Sequence, residues 1–158
     1  MVKRETNSVL KTLLFIPILL AIILLAACVP SNTSSPSIKI LIPTDDPEMI
    51  GITGFGYVLV LVEVSNFKLS DEIGEQNVVG EGHIHYFLDV EPPTEPGKPA
   101  VTAPGTYVDT SELTYYWLDI GTGPHTFWVE LVNNDHTPLS PPVIAKSSIT
   151  AGLWDGNS

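Results

Sequence analysis

Gly82-His83-Ile84-His85-Tyr86-Phe87-Leu88-Asp89 decides the fold. Successive side chains of a strand point to opposite faces, so this stretch has two readable sides. Ile84, Tyr86, Leu88 and Val90 form an apolar set that belongs in a core. His83, His85, Phe87 and Asp89 take the opposite face, which places the two imidazoles side by side. Pro92-Pro93 ends the strand.

Working outward, other segments carry the same extended signature between turn residues. Ile38–Ile42 reads as a first strand stopped by Pro43. Tyr57–Val64 is apolar on both sides and reads as a central strand covered on both faces. Asn66–Leu69 reads as a short edge strand, and Ser70–Glu81 as a polar loop. Five prolines between Glu91 and Gly105 predict a long stiff loop, and loops of that length are usually functional or disordered. Thr114–Ile120 and His125–Val132 flank Gly121-Thr122-Gly123-Pro124 and read as a β-hairpin. Asn133–His136 is a turn and Val143–Ala151 a last strand. No helical periodicity follows residue 28 and no repeat is present. The pattern predicts an all-β fold, an immunoglobulin-like antiparallel β-sandwich of about six to eight strands spanning residues 38–152, with a tail at 153–158.

All four histidines fall in two stretches: His83 and His85 in the first strand quoted, His125 and His136 in the block from Gly123 to Pro138. Neutral imidazoles suit copper, zinc and nickel, so the four together are candidate metal ligands, with Asp89, Glu81 or Asp135 as acidic companions. His83 and His85 converge by alternation alone. His125 has the core phase and joins them only if a bulge changes it. Asp135 is placed to close an Asx-type turn that leaves His136 available. The bland reading of each is a hydrogen-bonded structural histidine.

The same alternation predicts Tyr116, Leu118 and Ile120 inward, with Tyr115 and Trp117 outward; Phe127, Val129 and Leu131 point inward, and Trp128 and Glu130 outward. Phe87, Tyr115, Trp117 and Trp128 would then form an aromatic face too large to stay bare. Either the proline-rich loop covers it or it serves a protein or glycan partner, with the histidines structural.

The amino terminus carries an address. Lys3, Arg4 and Lys11 precede an apolar run, Leu13 to Ala27, that is short for a membrane span and built like a secretory signal. Leu25-Ala26-Ala27-Cys28 resembles the bacterial lipobox. That resemblance implies removal of residues 1–27, diacylglycerol and palmitate on Cys28, a flexible tether over 28–37, and a lipid anchor on the extracytoplasmic side of the membrane in the cell envelope. Cys28 is the only cysteine, so a lipidated chain has no disulfide. Beyond the leader there are four basic and seventeen acidic residues, a balance that excludes nucleic acid as a partner and suits the attraction of cations.

Gly82, His83, His85 and Asp89, then Gly123, His125 and Thr126, then His136, Pro138, Pro141, Pro142 and Val143 form a spaced pattern. The stretch from about Asn77 to Val143 resembles a family of small exported prokaryotic β-domains of unknown function. The chain departs from the histidine-rich form of that family at Ile84 and Leu139. The resemblance implies an exported β-domain, and the association of related domains with cupredoxin-type copper proteins implies copper.

Catalysis finds no support. There is no Gly-x-Ser-x-Gly elbow, phosphate loop or dinucleotide fingerprint, and Asp45-Asp46 reads as a solvated turn. With Met49 as the only methionine after the leader, a blue-copper centre is also excluded. The sequence therefore predicts a lipid-tethered binding module, not an enzyme, holding copper or zinc through its histidines.

Overall fold

The computed structural model describes residues 34–44 and 57–152. The expected signal peptide over residues 1–27, Cys28, most of the expected tether and the tail at 153–158 lie outside the described residues. Among the described residues all regular structure is β: eight strands in two sheets. They are β1 (Ser37–Ile42), β2 (Tyr57–Ser65), β3 (Lys68–Leu69), β4 (Glu81–Leu88), β5 (Tyr107–Thr110), β6 (Thr114–Leu118), β7 (Gly123–Asn133) and β8 (Pro138–Ala151). The all-β, sandwich-like expectation holds.

A three-stranded sheet runs β1-β2-β6. A five-stranded sheet runs β3-β4-β7-β8, with β5 also paired to β4. Alternation explains how they pack. Val58, Val60 and Val62 of β2 meet Ile84 and Tyr86 of β4 and Phe127, Val129 and Leu131 of β7 in one buried cluster. Burying such side chains contributes about 1.5–3 kcal/mol each, and this is the main force holding the sheets together. The Tyr86 hydroxyl satisfies itself at the edge of the cluster by donating to the Glu112 carbonyl at 2.9 Å.

Four expectations need correction. First, β6 and β7 are not a hairpin. β6 pairs with β2 in one sheet and β7 with β4 and β8 in the other, so the Gly121 turn arches across the core. Second, β6 has the opposite phase to the one expected. Trp117 stands opposite Val58 and Tyr115 opposite Val60, so both aromatics share the buried face of β2, while Tyr116 and Leu118 are exposed. Both faces of Thr-Tyr-Tyr-Trp-Leu are apolar, and only the partner strand decides which is buried. Third, β2 is covered on one face only: Tyr57, Leu59 and Leu61 are half-buried. Fourth, the proline-rich segment leads into a further strand, β5, and β8 starts as early as Pro138.

The outer face of the five-stranded sheet is the unusual one. His83, His85, Phe87, Glu130 and Val132 point away from the core, yet all are fully buried. Buried Ala100, from the segment between β4 and β5, bonds to His85, Tyr107 of β5 packs on His85 and Phe87, and the His136 ring packs on His83 and His85. The predicted aromatic face is thus not a free surface. Phe87 is sealed against Tyr107, Trp117 is in the core, Tyr115 packs against the core, and half-buried Trp128 is capped by the Lys146 ammonium at 4.8 Å.

Candidate metal centre

Three elements bring the site together. β4 supplies His83 and His85 on one face, as alternation demands. β5 lies antiparallel beside β4 and sets Asp109 directly opposite His85. The β7–β8 turn supplies His136.

That turn is built for the purpose by its own sequence. The Asp135 carboxylate accepts from the Thr137 backbone N–H at 3.1 Å and from its hydroxyl at 2.6 Å, an Asx-type closure. The His136 N–H donates to the Asn133 carbonyl at 3.0 Å, and His136 takes a left-handed φ of 67°. From the β3–β4 loop, the Asn77 side chain accepts from the Asp135 N–H at 3.0 Å, and the Gln76 carbonyl accepts from the Asn134 side chain at 3.1 Å. The turn is therefore braced at its base, and its imidazole swings over β4.

The result is a triangle of ring nitrogens. His83 Nε2 lies 3.1 Å from His85 Nε2 and 3.3 Å from His136 Nδ1, and the last two are 3.0 Å apart. Asp109 completes the group: one ligand atom from each of the four residues lies within 4.8 Å of the others. Its carboxylate is 3.8 Å from His136 Nδ1. These four residues could hold a metal ion.

The protonation pattern supports coordination. A carbonyl can only accept, so His85 Nδ1 donates to the Ala100 carbonyl at 2.7 Å. Burial pulls the His85 imidazole down to about 4, against the opposing effect of that carbonyl. The ring is thus neutral, its proton sits on Nδ1, and the lone pair on Nε2 faces the triangle. Burial likewise pulls His83 down to about 4, and neighbouring His136 adds to the effect. With its proton on Nδ1, His85 Nε2 can only accept, from a neighbouring ring N–H or from a cation. A cation at the centre could take one lone pair from each of the three nitrogens. Metal–nitrogen bonds of about 2.0–2.1 Å place tetrahedral neighbours about 3.3 Å apart and right-angled ones about 2.9 Å apart, which brackets the observed triangle.

The outer contacts are uneven. His85 has the hydrogen bond that usually orients a metal-bound imidazole, whereas His83 Nδ1 is buried without a partner. Ala100 serves two ligands at once: its N–H donates to the His136 carbonyl at 2.8 Å while its C=O receives His85.

The structure gathers His83, His85 and His136, and it places His125 elsewhere. His125 stands at the start of β7, with Nδ1 2.7 Å from Asp89 Oδ2 and Nε2 2.8 Å from the Gly121 carbonyl. Both neighbours are acceptors, so the ring fastens the end of β4 to the β6–β7 arch. Asp89 is occupied there too, accepting from the Thr126 N–H at 2.7 Å. Glu81 is drawn into a pair with Lys68 at 2.6 Å.

Two acidic residues at the site escape a reading of the sequence. Asp109 sits in a four-residue strand behind a run of prolines; the only signal is the alternation of Tyr107-Val108-Asp109-Thr110. Glu130 stands across from His85 on β7, so Asp109, His85 and Glu130 form one lateral row over three strands. Both Glu130 oxygens are buried without a hydrogen-bond partner, and burial pushes the carboxyl up to about 7. Comparison with known proteins adds no name to this geometry: no family model, curated protein or solved structure matches the chain.

Proposed function

We propose that this chain is a lipid-tethered extracytoplasmic module that binds a divalent transition metal through His83, His85, His136 and Asp109. The observation that carries the reading is the triangle of imidazole nitrogens, 3.0–3.3 Å on a side, two of them on neutral buried rings. A donor set of nitrogen and oxygen without sulfur suits copper(II) and zinc, and copper(II) binds such sets most tightly, so copper comes first. We read its role as capture or delivery of that metal. The lipobox-like Leu25-Ala26-Ala27-Cys28 supports the envelope location and the membrane as the module's anchoring partner.

The test is the thermal melt of the full chain in detergent with Cu(II), Zn(II) or EDTA, beside a His83→Ala/His85→Ala variant. A ligand at a hundred times its Kd stabilises by about 2.7 kcal/mol, or on the order of 10 °C for a domain of this size. The wild type should show that rise and the variant should lose it. A melt indifferent to every metal sinks the reading.

A further inference from the structure

The four ligands are not equally placed. His83 and His85 expose no surface, whereas the His136 side chain is 22% exposed and that of Asp109 37% exposed. The nitrogens sit 3.0–3.3 Å apart, but the Asp109 carboxylate stands off at 3.8 Å from its nearest ring nitrogen, beyond hydrogen-bond range. Among the described residues His136 Nδ1 is the one basic group within 4.0 Å of the carboxylate, and no hydrogen bond holds it. Its strand is short and joined to the sheet only through β4. The site therefore has a floor of close-set imidazoles, two of them fully buried, and a loosely held acidic side that faces water.

We infer that Asp109 is an exchangeable fourth ligand, and that the metal is handed over through this position to an acceptor presenting an anionic or imidazole donor. The inference rests on the metal-binding reading above. In the exchange, the lone pair of the incoming donor forms a new bond to the metal. The bond from the metal to the Asp109 carboxylate breaks, and its electron pair stays on the oxygen. The metal keeps its oxidation state and its three imidazoles throughout, so it is never released free into water. Leaving the histidines then needs only further donors from the same acceptor, entering along the path that the carboxylate vacates.

The experiment uses Co(II) as a spectroscopic probe and azide as the incoming donor. The full chain, its Asp109→Ala variant and the His83→Ala/His85→Ala variant are loaded with Co(II), and their visible spectra are titrated with azide. The wild type should show Co(II) bands that azide shifts saturably. Asp109→Ala should retain the bands and bind azide about tenfold more tightly, because a position filled nine-tenths of the time by an internal ligand costs that factor. The double histidine variant should show no bands. Wild-type bands that azide leaves unchanged overturn the exchangeable position while the metal site stands. Equal azide affinity in wild type and Asp109→Ala overturns the role of Asp109. Absence of Co(II) bands from the wild type overturns the metal reading itself. A melting curve for Asp109→Ala guards against misfolding, and the wild-type titration is decisive without it.

Discussion

The Ala100 N–H donates to the His136 carbonyl at 2.8 Å, and the Ala100 carbonyl receives the His85 ring at 2.7 Å. One residue of the covering loop thus holds the ring of one candidate ligand and the main chain of another. Ala100→Pro removes the N–H and keeps the carbonyl. The lost bond holds the His136 main chain and not its ring, so metal affinity should fall by up to about tenfold, the low end of the 10–100-fold typical when a ligand's own hydrogen bond is lost. Competition titration against a chelator of known affinity measures it.

His83 and His85, each pulled down to about 4, should stay neutral at pH 5.5 in the metal-free chain. Their folded values lie below the unfolded 6.5, so the unfolded chain takes up more protons as pH falls. The stability they contribute is present above pH 6.5 and is lost as pH falls towards 4. Nitrogen-detected NMR of the imidazoles checks the protonation directly. Two rings that titrate near 6.5 would contradict the burial argument.

His125 behaves in the opposite sense. Burial works against its charge, but the bonds to Asp89 and to the Gly121 carbonyl outweigh burial and leave its pKa raised. Its contribution is complete below the unfolded value of 6.5 and is lost as pH rises through the folded one. Asp89→Asn should therefore destabilise more at pH 5.5 than at pH 9, by roughly 0.2–1 kcal/mol for so exposed a pair. It should leave metal affinity unchanged, which urea unfolding combined with a metal titration will test.

Glu130, pushed up to about 7 by burial, holds a proton that the unfolded chain gives up near 4.5. Stability due to this group falls as pH rises from 4.5 to 7. Glu130→Gln should flatten that slope and stabilise the metal-free chain at pH 8 by about 1–3 kcal/mol, since each tenfold change in proton affinity is worth about 1.36 kcal/mol. Chemical denaturation at pH 5 and pH 8 distinguishes this from a uniform effect.

What could be read in advance followed from contrast between faces. In β4 the histidines and Phe87 alternate with Ile84 and Tyr86, and the strand, its phase and the convergence of His83 with His85 all follow. His136 was legible as a turn residue because Asp135-His136-Thr137-Pro138 carries its own turn chemistry. β6 is ambiguous in sequence because both of its faces are apolar, and the choice between them belongs to β2, a strand remote in the chain. Asp109 and Ala100 were invisible for a related reason. Their roles depend on where a proline-rich segment lands, which is set by β4 and the His136 turn and not by local pattern. Gly82 shows the reverse case, a motif glycine with a steric cause: a Cβ there would collide with the Val132 carbonyl, so β4 and β7 approach this closely only because residue 82 lacks a side chain.

The division of β4 into a core face and a ligand face reaches beyond binding. Ile84 and Tyr86 hold the two sheets together, while His83 and His85 face the other way under a separate cover. The residues that make the chain fold and the residues that give it chemistry are thus different sets on one strand. The candidate ligands can therefore be substituted in β4 without touching the residues that join the two sheets.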